Sequence, residues 1–479
     1  MINIPLIIVL LYIAALFVIS VFAKHLAKGS EGYVLAGRKL TTPLVAVSIT
    51  GLAIGGASTI GVAEQAYSVG LAAGWYNVAW GAGAIAMGLF AAGKYRELNV
   101  TTVPEMFEKF YDVKGRAIAV ASQITILLVT TSMQYLAGGA ILASMLPSVF
   151  TLRTGMVTSA LVFIGITFVG GMWSSGLSNI LNVALIYLGI GIATVLTVSG
   201  QGGIASIAAQ VPQEVPYFHF VDGLGWVAIA SWFAVMVTQC FSAQGVVQIA
   251  CGAKDSKTAR NGFVIGGLMM LPIGFLAALM GIAGKAMFPS MSATLALPQM
   301  IMSLNPYIAG VTLAALWAAD VSTAGTLLLG SATLFSQDIY KRFLNPECDD
   351  KKLMRVTKIA VMALGALTFA LALSVSGIVK TLLIGLSLTT AFTIVFLFTV
   401  FFPGMARKSS AFYTTLVGII GLVLWQFVPA IRIFPHVIYL EWIICLATFL
   451  VVPLFDSQRI QYPAGKKVVS ESVTFGIKA

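Results

Sequence analysis

The sequence predicts an all-α polytopic membrane protein with about 13 transmembrane helices, and three observations lead to this fold class. First, 59% of the residues are hydrophobic and only 9% are charged, whereas soluble proteins carry about 25% charged residues. Second, apolar runs long enough to cross about 30 Å of hydrocarbon recur along the chain. Third, lysine and arginine are distributed unevenly between the segments that connect these runs. A soluble fold is therefore excluded.

The apolar runs leave only short connections, so residues 1–455 are predicted to form a single transmembrane domain. The first run has no small-residue cleavage site and is interpreted as a retained helix, not as a signal peptide. The runs lie near residues 3–23, 42–69, 72–93, 115–146, 150–171, 176–199, 225–250, 261–284, 306–336, 356–376, 378–403, 411–430 and 436–455.

The positions of the basic residues predict the orientation of the chain. With the N-terminus outside, 24 of the 28 Lys and Arg residues fall in inside segments, and only Arg153, Lys285, Lys380 and Arg432 stay outside. This asymmetry is typical of membrane proteins. It places the C-terminus and a polar tail, residues 456–479, in the cytoplasm. It also accounts for the net charge of +11 without a nucleic-acid partner.

Motifs of enzymes and metal sites are absent from the sequence. The four cysteines show no CxxC spacing, so neither a disulfide framework nor a zinc site is predicted. The three histidines lie outside the span interiors, and no HExxH, DxD or GxSxG pattern occurs. No repeated filter sequence points to a channel. The sequence therefore favours a secondary transporter over an enzyme or a channel.

The ninth run carries polar residues in its middle. Ala319, Ser322 and Thr323 share one helical face, because they are spaced i, i+3 and i+4. Two hydroxyl oxygens and a nearby backbone carbonyl form a small oxygen cluster, the ligand type that hard cations prefer. The alternative is that both hydroxyls bond to carbonyls of their own helix. Asp320 lies beside them, and ionisable groups at membrane depth are costly and usually functional.

The second run is rich in glycine. It reads VSITGLAIGGASTIGVAEQAYSVG, and Gly51, Gly55, Gly56 and Gly61 weaken a continuous helix. A discontinuous helix near the middle of the bilayer frees carbonyl groups for a cation and amide groups for a substrate. The alternative interpretation is close helix packing, because small residues also line helix–helix interfaces.

Five segments of the chain resemble signatures of the sodium:solute symporter family, and they occur in the family's order. They are EGYVLAGRKL, GVAEQAYSVG, NVTTVPEMFEKFY, VVQIACGAKDSKTARNG and SATLFSQDIYK, within residues 31–341. The resemblance implies the leucine-transporter-type inverted 5+5 repeat. Spans two to six, at about 42–199, and spans seven to eleven, at about 225–403, would be the two halves. Spans one, twelve and thirteen would be peripheral.

The resemblance also implies a sodium ion as the coupling ion. Its ligands would be the carbonyls of Gly51, Ile54 and Ala319 and the hydroxyls of Ser322 and Thr323. This is the hydroxyl cluster that the spacing on the ninth run already indicates. The implied activity is secondary active uptake of a small organic solute, driven by inward sodium movement through alternating access.

Departures from the family's pattern affect the expected number of sodium ions per cycle and the identity of the coupling ion. Asn179 stands where many members have an Asp near the inner sodium exit, so one sodium per cycle is expected. Asp320 has three possible roles: it neutralises the bound cation from a position next to the cation's ligands, it holds a proton, or it stays neutral on a polar helix face. Glu64 is a proton site, a substrate contact or a group that reaches outer water. Proton coupling through Glu64 or Asp320 is the competing hypothesis.

The substrate pocket is expected between spans two, three and seven. Ala53 stands where proline carriers have an Asp, and Asn77 and Gln239 replace the Glu and stacking Tyr of sugar carriers. An amino acid, a monocarboxylate or a similar non-sugar is therefore expected, in a monomeric protein of the plasma (inner) membrane. Aromatic residues such as Tyr76 and Trp80 are interpreted as interface or packing groups. The candidate contacts are Ala53, Ser58, Asn77, Thr238, Gln239 and Ser242.

Overall fold

The computed structural model describes residues 4–374 and 377–460. The predicted cytoplasmic tail, 456–479, lies outside the described residues from position 461 onward, as do the last two residues of the predicted tenth span. Helices account for most of the described residues. Extended pairing within them is limited to two isolated bridges, Leu40 with Ala253 and Arg407 with Arg459. The all-α prediction is confirmed for this part of the chain.

The α-helices of the first part of the chain are α1 Ile4–Leu26, α2 Gly29–Leu35, α3 Thr42–Ala53, α4 Val62–Val69, α5 Trp75–Met87, α6 Gly93–Leu98, α7 Val103–Phe110, α8 Val113–Met145, α9 Leu152–Gly200 and α10 Ile204–Gln210. Those of the second part are α11 Trp226–Ser242, α12 Gln244–Gly252, α13 Ser256–Met270, α14 Ile273–Met287, α15 Ala296–Met302, α16 Pro306–Thr333, α17 Asp350–Ala372, α18 Ile378–Ser387, α19 Thr389–Phe401, α20 Ser410–Phe427 and α21 Val437–Val451. Short 3-10 and π segments extend or join several of them.

Many of these helices can cross a membrane. By length and composition, the described residues contain 8 such helices, or up to 11 if each of three bent pairs is one span. The chain is therefore a multi-pass membrane protein. The predicted fifth and sixth spans form one element, α9, which is interrupted where Gly171 adopts φ 56° and ψ −146°. The count of thirteen and the orientation of the termini stay predictions.

Side-chain caps begin the helices that follow the predicted inside segments. The oxygens of Thr102, Asp112, Asp255 and Asp349 accept hydrogen bonds from backbone amides in the first turns of α7, α8, α13 and α17. Such caps satisfy amides that have no partner within the helix. The chain can therefore leave the bilayer, turn and re-enter within short polar segments.

Burial separates the central helices from the peripheral ones. The span that contains α16 is 94% buried in its most apolar window and α8 is 89% buried, whereas α1, α20 and α21 are 28%, 39% and 33% buried. The helix α16 packs against α8, α9 and α1. The polar ninth run therefore lies in the core of the bundle, away from lipid. The peripheral position of spans one, twelve and thirteen stays a prediction, because α17 is also only 33% buried.

Three bent pairs surround this core. The chain bends by 55° between α3 and the segment that begins at Ala57, by 48° between α11 and α12, and by 41° between α18 and α19. The first bend confirms the discontinuity that the glycines of the second run predict. The second bend, after Ser242, has only a weak sequence signal in the residues SAQG and was not expected. These two bends fall in the first span of each predicted half.

Candidate functional site: the oxygen cluster and the central cavity

The break in the second span is built around two adjacent glycines. Helix α3 ends at Ala53, and Ile54 leaves the helical region with φ −90° and ψ 72°. A Cβ atom at Gly55 would overlap the Thr323 hydroxyl, and a Cβ atom at Gly56 would overlap the side chain of Ala137. Only glycine permits this close approach of α8 and α16 to the broken backbone.

The hydroxyls of the ninth span meet this break. Ser322 Oγ donates a hydrogen bond to the carbonyl of Gly51 at 3.1 Å and to that of Ala319 at 2.9 Å, and Thr323 Oγ1 donates to Gly51 O at 2.9 Å. Both side chains are only 4% exposed. Two carbonyl and two hydroxyl oxygens thus converge from α3 and α16. Ile54 lies at the break, and no hydrogen bond joins it to the cluster among the described residues.

This oxygen cluster, defined as Gly51 O, Ala319 O, Ser322 Oγ and Thr323 Oγ1, suits a hard monovalent cation. Both hydroxyls reach across to another helix, so back-bonding alone does not account for them. Ser322 makes both kinds of hydrogen bond, whereas Thr323 bonds to Gly51 of the other element. Rotation of the hydroxyl protons would turn oxygen lone pairs toward a cation.

Asn179 adjoins the cluster from α9. Its amide lies so close to Gly51 that a Cβ atom there would overlap it. Asn182 donates to Asn179 Oδ1 at 3.4 Å and to the carbonyl of Ala318 at 3.2 Å, and it accepts from the Tyr12 hydroxyl at 2.6 Å. The Asn179 Nδ2 atom is buried without a hydrogen-bond partner among the described residues. An uncharged amide therefore occupies the position that the sequence predicted beside the sodium path.

Asp320 points toward the helix break and not toward lipid. Its side chain is fully buried, and neither carboxylate oxygen has a hydrogen-bond partner among the described residues. Oδ1 lies 3.0 Å from the position that a Cβ atom of Gly56 would take. A buried carboxyl group without a partner is costly unless a cation or a proton neutralises it. Its position next to the oxygen cluster is consistent with either.

Gln134 of α8 is a site residue that the sequence reasoning missed. Its Oε1 atom accepts a hydrogen bond from the Gly56 amide at 2.7 Å and so satisfies one amide that the break exposes. The side chain is 1% exposed and lines the central cavity. The available signal was an amide side chain inside a predicted membrane span, since such groups need a partner inside the membrane.

A central cavity opens beside the break. Its walls come from the bent pairs and from α5, α8 and α16, and no charged side chain is among them. The lining residues are Leu52, Ala53, Gly55, Ala57, Tyr76, Trp80, Ile126, Leu127, Thr130, Gln134, Gln239, Ala243, Gly245, Val246, Thr323, Leu327, Leu382 and Leu386.

Two of the six predicted substrate contacts, Ala53 and Gln239, line this cavity. Ser58, Asn77 and Ser242 are buried in its walls instead. Ser58 Oγ bonds to the carbonyl of Ala53, and Ser242 Oγ donates to that of Thr389 at 2.9 Å. Thr238, the sixth, accepts a hydrogen bond from Trp442 Nε1 at 3.0 Å. The role of these four as contacts stays a prediction.

The interpretation of the aromatic residues as packing or interface groups is incomplete. Tyr76 and Trp80 line the cavity, although both are nearly buried. Tyr76 also packs edge-to-face on Trp232, with ring centroids 6.1 Å apart. Sequence reasoning could not separate the two roles, because an aromatic side chain inside a span fits either.

Glu64 joins three elements at the other end of the second span. Its carboxylate accepts a hydrogen bond from Thr294 Oγ1 at 3.1 Å and from the backbone amide of Ile378 at 3.3 Å. These partners lie just before α15 and at the start of α18. Glu64 therefore lies at the opposite end of the second span from the oxygen cluster. It connects α4 to α18 and to the segment before α15.

Comparison with known sequences decides the family. The profile of the sodium:solute symporter family matches residues 33–418. This chain belongs to that family. Among its relatives, the sodium/glucose cotransporter of Vibrio parahaemolyticus is 28% identical over 71% of this chain and 68% of that protein. The sodium/proline symporter of Haemophilus influenzae is 26% identical over 88% of each chain.

Solved structures show the same fold. A Na+-coupled sialic acid symporter in a substrate-bound outward-open state superposes with a TM-score of 0.78 and 19% identity, over 96% of this chain and 99% of that one. A nucleobase-cation-symport-1 family transporter in a closed conformation superposes with a TM-score of 0.60 and 15% sequence identity, over 88% of this chain and 92% of that one. The chain is a membrane transporter and not an enzyme, and membership of the family makes it a sodium-coupled solute symporter.

Proposed function

We propose that this symporter moves one sodium ion and one small non-sugar organic solute inward by alternating access. The observation that carries the proposal is the contact of the Ser322 and Thr323 hydroxyls with the Gly51 carbonyl at the break. Sodium is held there by Gly51, Ile54, Ala319, Ser322 and Thr323. Binding exchanges hydroxyl–carbonyl hydrogen bonds for cation–oxygen contacts and ties α16 to the broken span.

Coupling follows from shared residues. Thr323 belongs to the oxygen cluster and also lines the central cavity, and the cavity includes Ala53 and Gly55 of the break. An ion that orders the break therefore also orders the cavity wall, so each ligand raises the affinity for the other. Asp320 adds negative charge beside the ion, and Glu64 holds the other half of the broken span to α18.

The solute is an amino acid, a monocarboxylate or a similar small molecule. Support comes from the uncharged cavity, whose polar side chains are Thr130, Gln134, Gln239 and Thr323 together with the aromatic Tyr76 and Trp80. Several relatives are described as proline symporters, and another as a sodium/pantothenate symporter of Haemophilus influenzae. The contacts are Ala53 and Gln239, with Ser58, Asn77, Thr238 and Ser242 available when the walls move.

The stoichiometry and topology complete the proposal. Asn179 provides no carboxylate for a second ion, so one sodium moves per cycle. The chain has thirteen spans, with the N-terminus outside and the tail inside, and two inverted halves of five spans each. The distribution of Lys and Arg supports this orientation. It works as a monomer in the plasma membrane.

A thermal-shift screen tests this function. The purified protein is heated in sodium and in potassium buffer with L-proline, pantothenate, sialic acid or short monocarboxylates, and with glucose as the sugar control. A ligand of the folded state raises the unfolding temperature by mass action. We expect one acid or zwitterion to stabilise the protein more in sodium than in potassium. No sodium effect on any solute, or a response to glucose alone, would contradict the proposal.

A further inference from the structure

A second cavity lies near the starts of α18 and α21. Its lining includes Gln65 of α4, Trp232 of α11, Lys380 of α18, Trp425 of α20 and His436. It shares no lining residue with the central cavity. These helix ends are the ones that the charge distribution places outside. We call this space the outer cavity.

One layer of side chains separates the two cavities. Trp232 lines the outer cavity, and its edge-to-face partner Tyr76 lines the central one. The helix α18 contributes to both, since Lys380 and Leu383 face the outer cavity whereas Leu382 faces the central one. The outer cavity thus adjoins the central cavity through the contact between Trp232 and Tyr76.

Lys380 gives the outer cavity its charge. It is the one residue with a permanent charge in the lining, it is exposed, and it forms no ion pair with any residue the structure describes. The nearby Arg432 differs, because its guanidinium donates to the carbonyls of Trp425 and Gln426 at 2.8 and 2.7 Å. Glu64 is not in the lining, and its carboxylate bonds elsewhere.

His436 adds a hydrogen-bond donor. Its Nδ1 atom accepts from the Ile438 amide at 3.2 Å, so the neutral ring carries its proton on Nε2. The outer cavity therefore combines an ammonium group, an N–H donor and the indole rings of Trp232 and Trp425.

We propose that the outer cavity is a binding site for an organic carboxylate with an apolar body, which it holds before transfer to the central cavity. Lys380 pairs with the carboxylate, and the two indoles contact the apolar part. The proposal rests on the proposed function for its place in transport. It also names the substrate class of the transporter as organic carboxylates with an apolar body.

Benzoate is the probe, because it unites a carboxylate with a flat apolar ring. Binding is measured by calorimetry on the full-length protein in sodium-free potassium buffer, so that the sodium-dependent central site does not contribute. We expect saturable benzoate binding, at least tenfold weaker binding of the neutral isostere benzamide, and at least a tenfold loss in Lys380→Met. Lys380→Arg, which keeps the charge, should stay within about threefold of wild type.

Two results would overturn the proposal: no saturable benzoate binding to wild type, or equal affinity in wild type and Lys380→Met. The benzamide comparison uses wild-type protein and still decides if Lys380→Met does not fold. Thr323→Ala separates this proposal from the proposed function, because it should lose the sodium response and keep benzoate binding. If the wild-type protein binds benzoate but sodium does not change its thermal stability with any solute, the result would support the outer cavity and refute sodium coupling.

Discussion

The hydroxyls of Ser322 and Thr323 give the first residue-scale prediction. Each supplies one oxygen to the cluster, and each is bonded to the Gly51 carbonyl. We expect Ser322→Ala or Thr323→Ala to weaken sodium activation at least tenfold, equal to about 1.4 kcal/mol. Ser331→Ala is the matched control, because its buried hydroxyl bonds only within the same helix, to Leu328 O at 2.9 Å. Unchanged sodium activation in both test variants would show that the ion does not bind to this helix.

Asp320 gives the second residue-scale prediction. Both its oxygens lack partners, and it borders the break one step from the cluster. Asp320→Asn keeps the shape and removes the charge, so we expect it to lower sodium affinity and leave the pH dependence of uptake unchanged. Sodium titrations at several pH values measure both properties. Wild-type sodium affinity together with a flattened pH profile would instead assign Asp320 to proton transfer.

At the scale of elements, the break itself is testable. Gly55→Ala places a methyl group against the Thr323 hydroxyl and the Gln134 amide, so the oxygens cannot keep their positions. We expect sodium-induced thermal stabilisation to disappear in this variant. Gly191→Ala, where nothing lies within 4 Å of the added methyl, is the control and should retain it. A wild-type sodium response in Gly55→Ala would show that the break does not form the ion site.

An ionic network holds α7, α8 and the end of the ninth span together. Arg116 bonds to Glu108 at 2.5 Å and to the buried Asp338 at 2.6 Å, and Arg342 bonds to Glu108 at 2.5 Å. The hydrogen bond from Arg342 holds the pKa of Glu108 below its ordinary value of 4.5. Its ionised form therefore contributes stability that is complete above that value and is lost as pH falls through the lower, folded pKa.

Glu108→Gln tests this network. We expect its unfolding temperature to fall furthest below that of wild type at neutral pH, and the difference to shrink below about pH 4.5 as Glu108 becomes protonated. Thermal scans across this pH range measure it. Glu347→Gln, on an exposed loop, is the control and should have little effect. A difference that grows toward acid pH would contradict the assigned role of Glu108.

The elements show what a sequence can and cannot predict. Hydropathy located the helices, and the glycines of the second run predicted its break, because both signals are local. The spacing of Ser322 and Thr323 predicted a shared face. The break after Ser242 and the role of Gln134 depend on which helices become neighbours. No local pattern carries that information, so both appeared only in the folded structure.

For the whole molecule, composition excluded a soluble fold and the order of motifs predicted the family. The residues that contact the substrate were harder to predict, because the walls of a cavity come from segments that are far apart in the sequence. Ala53 and Gln239 line the central cavity, whereas Thr238 accepts a hydrogen bond from Trp442 of α21 and Ser242 donates one to Thr389 of α19. The outer cavity likewise joins residues of α4, α11, α18, α20 and the start of α21, which are far apart in the sequence.

Solute accumulation in proteoliposomes tests the central claim most directly. The solute that sodium stabilises in the thermal screen is supplied with an inward sodium gradient, or with a proton gradient in sodium-free buffer. The account predicts uphill accumulation with the sodium gradient alone and a Hill coefficient near one, since Asn179 leaves no carboxylate for a second ion. Accumulation driven by protons without sodium, or a sigmoidal dependence on sodium, would contradict it.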